Sequence, residues 1–521
     1  MIARETVVIG GGISGLATAA LLAAEGHRVT LLEAGDAVGG RAGSWSADGF
    51  RFDTGPSWYL MPEVFDHFFR LLGTSTAEQL TLHPLDPGYR AYFEGRSQPF
   101  DLPAGREAAR GAMTALDPAN ATKLEHYFDS AETTYDLALR RFLYSSFDSA
   151  GPWLNAEVLA GLPRLGRLMG RSLDAEIRSR TRDDRLRRLL GYPAVFLGGS
   201  PLQVPSMYHL MSHLDVNDGV LYPEGGFARV VERIAALAEA AGARLRTGAR
   251  VQRIVVERGR ARGAILTGGE LVPADLLVAT ADLHHVETEL LGPEHRAAAT
   301  RRWRRRTPGP GAVLAMLGVR GRVPELAHHT LLLADDWEGG FESIARPGGG
   351  LPASPSLYIG KPSATDPGVA PPGDENLYVL VPVAADPGLG RGGVDGAGDP
   401  QVEAFVDCVI DRIAAWTGAR DLADRIVVRR TVAPGDFAAD LNAWSGSALG
   451  PSHSLRQSAF LRARNAPRGI DGLLYAGSST IPGIGVPMCL ISAELVLKRL
   501  RGDRSASPLP EPTQRTEAAR T

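Results

Sequence analysis

Residues 5 to 43 read as strand, glycine turn, helix, second strand and second glycine turn, and few arrangements constrain a fold as tightly. The apolar run Val7 to Ile9 leads straight into Gly10, Gly12 and Gly15, the G-x-G-x-x-G spacing. A stretch of Leu, Ala and Thr without charge follows to Ala24. Gly10 permits the tight turn, Gly12 lets the backbone approach a pyrophosphate, and Gly15 lets helix pack closely on strand. The helix N-terminus, with Ser14 in its first turn, then faces the anion. Glu33 closes the second strand, Val29 to Leu32, and Ala34 follows it. An acid there accepts a ribose 2′-OH and repels a 2′-phosphate.

The uncharged stretch has the look of a signal peptide or a membrane span, but three consecutive glycines interrupt it. Glu25, His27 and Arg28 then lead into a strand, with no small-residue cleavage site. Gly39, Gly40 and Arg41 make the second turn, where a guanidinium with its fork of donors suits a pyrophosphate. In FRFDTGPSWYLMP, Phe50 to Pro62, Gly55 and Pro56 before Ser57 allow the backbone close to a ring system. Near the other end, a buried strand Leu473 to Ala476 is followed by Gly477, Gly483 and Gly485, then by a helix starting at Val486 and Pro487. Backbone N–H groups and a helix N-terminus there can meet the edge of a ring system.

A chain of 521 residues is long enough for two large cores. A net charge of -3 gives a nucleic-acid partner no electrostatic support. Two cysteines, Cys408 and Cys489, exclude a disulfide framework, fit a reducing cytoplasm and lack metal-ligand spacing. No other segment approaches membrane-spanning length. His209 and His213 share a helix face, but no third ligand has suitable spacing, so packing or hydrogen bonding is the reading and no metal is expected. Asp215 and Glu224 are further polar candidates, and Asp53 and Asp282 are read as positioning groups near the cofactor.

The dinucleotide unit is discontinuous. Residues 1–89 and 216–299 supply its first two parts and residues 466–501 its last. Residues 90–215 read as a helical lobe, with long patterns over Ala121 to Phe142 and Asn155 to Leu190. Residues 300–465 read as a substrate domain with strands, among them Ala312 to Val319 and Leu377 to Val383. Pro387 to Pro400 reads as a mobile glycine-rich loop, and 502–521 as a disordered tail. The run Arg301, Arg302, Trp303, Arg304, Arg305 and Arg306 suits anionic headgroups with the indole at the interface. The fold class is α/β: a Rossmann-type dinucleotide-binding domain, for FAD or NAD, from separate segments, beside a mixed α+β substrate domain with a helical lobe.

The GGR turn resembles the second fingerprint of the FAD-dependent amine oxidase and carotenoid desaturase superfamily. With PSMYHLMSHLDVNDGVLYPEGGF, TDPGVAPPGDENLYVLVPV and AGSSTIPGIGVPMC, the chain resembles the bacterial-type phytoene desaturase family over nearly its whole length. The resemblance implies FAD, held by the glycine-turn residues already named, by the backbone of Val251 and by Asp282. It implies a long polyprenyl hydrocarbon, phytoene or a related carotene, that loses hydride to flavin N5, with quinone or oxygen as final acceptor. It further implies a cytoplasmic protein peripherally associated with the membrane; the catalytic acid or base stays unassigned. Carotene cis/trans isomerisation, 3,4-desaturation and terminal oxidation on the same scaffold stay open. More remote are an amine or protoporphyrinogen oxidase and a non-enzymatic flavin-binding protein. One departure stands out: many members carry Thr-His-Pro-Gly where this chain has Thr480, Ile481, Pro482 and Gly483, which makes the flavin surroundings drier.

Overall fold

The computed structural model describes residues 3–148, 156–346 and 348–512. Its first sheet has five parallel strands in the order Leu473–Tyr475, Leu276–Ala279, Glu5–Ile9, Arg28–Leu32 and Arg244–Arg246. Strands from three distant parts of the chain therefore lie side by side. Helix Ile13–Ala24 packs on this sheet between helices Gly226–Ala240 and Val486–Arg501. A helix enclosed on all sides must be apolar all round, which is why no charge interrupts it. The opposite face is covered by the antiparallel strands Val251–Glu257, Arg260–Leu266 and Leu271–Pro273, whose Ile254, Ala261 and Ala264 pack with Val7, Ile9 and Leu277.

The second sheet has seven strands: Ile426–Val432, Gly311–Val319, Glu375–Val383, Leu357–Gly360, His329–Leu333, Tyr89–Phe93 and Phe100–Leu102. Helix Pro400–Thr417 packs on one face of it. On the other face Tyr89, Leu314 and Leu331 meet Leu124, Tyr127 and Leu189 from the helical lobe. A division at residue 89 would cut the strand Tyr89–Phe93, which pairs in parallel with His329–Leu333, so the substrate sheet reaches further toward the N-terminus than the sequence suggests.

Four expectations are corrected. The pattern read as Asn155 to Leu190 is three helices, Ala156–Gly170, Leu173–Arg178 and Asp184–Gly191, because the Ser172 and Asp183 side chains accept from the N–H groups of Ala175 and of Arg185 and Leu186 and start new helices; Asn155 lies outside the described residues. The glycines of 387–400 serve close packing: Gly392 N–H donates to Asp436 (2.7 Å), and a Cβ on Gly392 would stand 2.1 Å from the Thr431 carbonyl oxygen. Residues 502–512 run back over the last helix, where Leu509 is buried and its N–H donates to Glu494; residues 513–521 lie outside the described residues. Trp303 is 3% exposed and donates through Nε1 to Glu287 (2.7 Å), with the Arg306 guanidinium over its ring, so the indole anchors the arginine run inward.

Candidate active site

The two glycine turns meet. Gly39 N–H donates to the Gly11 carbonyl (2.8 Å), and a Cβ on Gly40, whose φ is +56°, would stand 3.3 Å from Gly12 Cα. Gly10 has a φ of +105°, and a Cβ on Gly15 would sit 1.9 Å from the Gly10 carbonyl oxygen. Gly12 differs: a Cβ there would meet only the Gly39 oxygen, at 3.8 Å. Gly10 and Gly15 thus close the turn, while Gly12 leaves room in front of it.

Glu33 ends its strand with both carboxylate oxygens engaged, Oε2 by Gly11 N–H (2.6 Å) and Oε1 by Gly35 N–H (2.7 Å). Ala34 is half-buried beside it. Ala249 N–H donates to the Glu33 carbonyl (2.7 Å), which brings the buried Val251 to the same end of the sheet.

Arg41 spans two parts of the fold. Its Nη2 lies 3.6 Å from the buried Asp282 carboxylate and 3.4 Å from the Ser447 carbonyl. Its Nε is buried with no partner among the described residues. An unsatisfied guanidinium donor next to the space at Gly12 fits an anionic phosphate. Asp282 also accepts from His284 N–H (3.0 Å) and Trp444 N–H (3.3 Å), so it holds Arg41 while starting the next helix. Asp53 is placed elsewhere: it accepts from Phe227 and Ala228 N–H at the start of helix Gly226–Ala240, and burial pushes its carboxyl up to about 6.

Gly55 lies against Arg41, where a Cβ would stand 1.9 Å from the Arg41 carbonyl oxygen. Pro56 and Ser57 follow, half-buried, and lead to Trp58. The C-terminal loop arrives from the other side. Gly477, at φ +115°, faces Ser14, and its N–H donates to Ser492 (3.0 Å). Gly485, at φ +114°, immediately precedes helix Val486–Arg501, with Val486 and Pro487 in its first turn.

Two residues that the sequence did not single out hold this loop. Arg462 is buried, its guanidinium donating to the carbonyls of Thr480 (3.1 Å) and Pro451 (3.2 Å) and to that of Ser478. His453 donates through Nδ1–H to the Leu197 carbonyl (2.9 Å), and its Nε2 occupies the place a Gly483 side chain would take. Burial and then Arg462 keep that imidazole neutral. Ile481 is packed into the core under the loop. Nothing in the local sequence of His453 marks it, because its role depends on a loop packed against it from elsewhere.

Three adjoining cavities run between the seven-stranded sheet and the helical lobe. The first has Trp58, Tyr89, Tyr192, Phe196 and Asp215 in its wall. The second shares Tyr192 with it and adds Trp337, Phe341 and Tyr358. The third shares Val195, Phe341 and Ile344 with the second and reaches Gly198 and Ser452. Trp58, stacked on His329 with ring centroids 4.6 Å apart, adjoins the Gly55–Ser57 loop. A Cβ on Gly198 would stand 3.3 Å from Ile484 of the C-terminal loop. The row of cavities is thus flanked by both loops assigned to a ring system.

The other polar candidates lie apart from one another. His209 bonds the Ser206 carbonyl and Ser130, and burial pushes it down to about 4. His213 bonds Asn217 and faces Asp218. Glu224 sits at the surface against His83. Asp215 alone of these lines a cavity, where burial pushes its carboxyl up to about 7. None of the three lysines does so: Lys361 is bound to the Val323 carbonyl and Glu375, Lys498 to the carbonyls of Tyr144 and Ser505, and Lys123 to Asn120. No helix among the described residues is long and apolar enough to cross a membrane.

The sequence profile of flavin containing amine oxidoreductases matches residues 13–496. The chain belongs to that family. Within it, the chain is a member of the phytoene desaturase group: it is 39% identical over 502 residues to a carotenoid 3,4-desaturase of Haloarcula japonica, covering 96% of this chain and 98% of that protein. It is 35% identical over 509 residues to a phytoene dehydrogenase of Streptomyces griseus, covering 96% of each. Among solved structures, putrescine oxidase bound to putrescine has a TM-score of 0.61 at 15% identity, covering 96% of this chain and 99% of that one, a likeness of fold. A flavin is therefore the cofactor class, and the open space at Gly12 with the buried, unpartnered Arg41 Nε among the described residues agrees with it.

Proposed function

We propose that this chain is an FAD-dependent desaturase of phytoene or a closely related carotene. The observation that carries the reading is the row of largely apolar cavities flanked by the Gly55–Ser57 and Gly477–Pro487 loops. A hydrocarbon offers no polar handle, so affinity comes from apolar contact and reaction from orientation. Tyr192 and Val195 would hold the polyene in line between the outer cavities. Gly10, Gly12, Ser14, Gly15, Gly40 and Arg41 would hold the diphosphate, Glu33, Ala34 and Val251 the adenosine end, Asp282 the position of Arg41, and Gly55, Pro56, Ser57, Gly477, Gly485, Val486 and Pro487 the ring. FAD, when bound, supplies the hydride acceptor. Excluding water from the apolar cavities favours direct transfer of hydrogen over solvent exchange.

Relatives that act on carotenes support the reading, and the 39% identity to a carotenoid 3,4-desaturase favours one second reading, oxidation nearer the end of an already conjugated chain. The lysine placements weigh against amine oxidation through a lysine at the ring. Leu455, Phe460 and Leu461 are each more than 40% exposed and follow Ser452 and Ser454 of the third cavity. That arrangement supports a peripheral membrane contact through which a lipid-dissolved substrate enters and a quinone leaves; oxygen is the other acceptor. Expression in cells that accumulate phytoene tests the proposal. New visible absorption is expected, and its position counts the double bonds; unchanged pigment with folded, flavin-loaded protein would sink it.

A further inference from the structure

Asp215 is the one carboxyl group in the walls of the three cavities besides Asp336. The two differ in setting. Asp336 starts a helix and accepts from Gly339 N–H, while Asp215 Oδ1 is buried with no hydrogen-bond partner among the described residues, the N–H groups of Asp215 and Val216 bearing on the carboxyl from its own helix end. It lies on helix Met211–Val216 and lines a cavity otherwise walled by Trp58, Tyr89, Tyr192, Phe196 and aliphatic side chains. A buried carboxyl oxygen without a partner is costly, so its retention calls for a role.

Among the described residues no cation is paired with it. On the elements packed against its helix, Arg110 is engaged by Asn217, Glu125 and Asp129, and Arg106 by Glu132. His209 has Ser206 and Ser130 as partners, and His213 has Asn217 and Asp218. The groups that feel its charge are the phenols of Tyr89 and Tyr127, while Tyr192 shares the cavity wall.

Resting on the desaturase reading, we propose that the Asp215 carboxylate is the base that removes the proton from the carbon next to the one that loses hydride. A C–H bond breaks toward Asp215, forming an O–H bond on the carboxyl. Its electron pair becomes the new C=C bond, while the neighbouring carbon releases hydride, with its two electrons, to the flavin. One carbon–carbon double bond, one carboxylic acid and one reduced flavin result. In an apolar wall the carboxylate is a stronger base than in water, and its ordinary carboxyl range is raised by burial toward neutrality, where proton transfer in both directions is easiest.

Two measurements on FAD-loaded protein test this. In anaerobic flavin bleaching by phytoene in liposomes, the wild-type rate should rise with pH to a plateau with a midpoint near 7. Asp215→Asn should lose about a hundredfold or more in rate and lose that pH dependence, and Asp215→Glu should recover part of both. Independently of activity, the wild-type Tm should fall relative to Asp215→Asn as pH rises through the range from the ordinary carboxyl value to 7, because the folded state then binds a proton that the unfolded state has released. Should Asp215→Asn fail to fold, infrared titration of the wild-type buried carboxyl near pH 7, displaced when carotene binds, replaces it; no such band overturns the proposal. Equal bleaching by wild type and Asp215→Asn at equal flavin content overturns the proposal alone. Wild type that no carotene bleaches overturns the desaturase reading and the proposal with it.

Discussion

Arg41 Nη2 lies 3.6 Å from the buried carboxylate of Asp282, joining the second glycine turn to the end of a strand far along the chain. The pair fixes the guanidinium and leaves its buried Nε without a partner among the described residues. Hydrogen bonds to a charged group contribute about 1.5–3 kcal/mol. Arg41→Ala is expected to weaken flavin retention by roughly tenfold to a hundredfold, with Arg41→Lys intermediate because it keeps charge without the fork. The flavin-to-protein absorbance ratio after gel filtration checks this, and an undiminished ratio in Arg41→Ala would contradict it.

Gly12 and Gly15 should fail in different ways. A Cβ on Gly15 overlaps backbone, 1.9 Å from the Gly10 oxygen, so Gly15→Ala should cost about 1–3 kcal/mol or more and lower Tm with or without flavin. Gly12→Ala has room in the protein and an ordinary φ of -73°, so apoprotein Tm should hold while flavin is lost. Equal Tm losses in the two apoproteins would refute the distinction.

The C-terminal segment carries a stability prediction. Lys498, buried at 1% exposure, donates to the carbonyls of Ser505 and Tyr144, and Glu494 accepts from Leu509 N–H. Ending the chain at Arg501 should destabilise it by about 1.5–3 kcal/mol, read by urea denaturation.

That segment also has a pH signature. Burial would lower His67, but hydrogen bonds and charges from Glu494 and Glu511 outweigh it and raise the imidazole. A raised histidine stabilises fully below its unfolded value of 6.5 and loses that stabilisation as pH climbs through the higher folded value. Glu511→Gln should therefore lower Tm at pH 6 and leave it nearly unchanged at pH 9; an equal effect at both would count against the ion pair.

Val195 lines both the second and third cavities. Val195→Trp should block the passage between them, cutting carotene turnover by about tenfold or more with flavin content unchanged, since only apolar positioning is lost. Product analysis by absorption and chromatography decides it, and full turnover would remove the passage from the binding path.

The strands and helices nearest the first sheet were legible because local pattern and tertiary role coincide there. Gly10, Gly15 and Leu276–Ala279 sit where their spacing and hydrophobicity place them. The tail and the 387–400 loop misled for the opposite reason: polar, glycine-rich composition looks unstructured, yet Lys498, Glu494 and Asp436 give those backbones partners from distant positions. Trp303 misled likewise, since an indole in an arginine run looks interfacial until Glu287 is seen to accept from its Nε1.

The sequence by itself determined the dinucleotide turn, the flavin class of its cofactor and the family, because glycine spacing and strand–helix alternation are local properties that survive without knowledge of neighbours. Tertiary structure alone decided that Gly477 faces Ser14, that His453 backs Gly483, and that Asp215, of four polar candidates, has a buried carboxyl oxygen without a partner among the described residues, in a largely apolar wall. Those facts depend on which surfaces pack together across the chain, and whether a buried group is satisfied or left poised for chemistry is set by its neighbours in space.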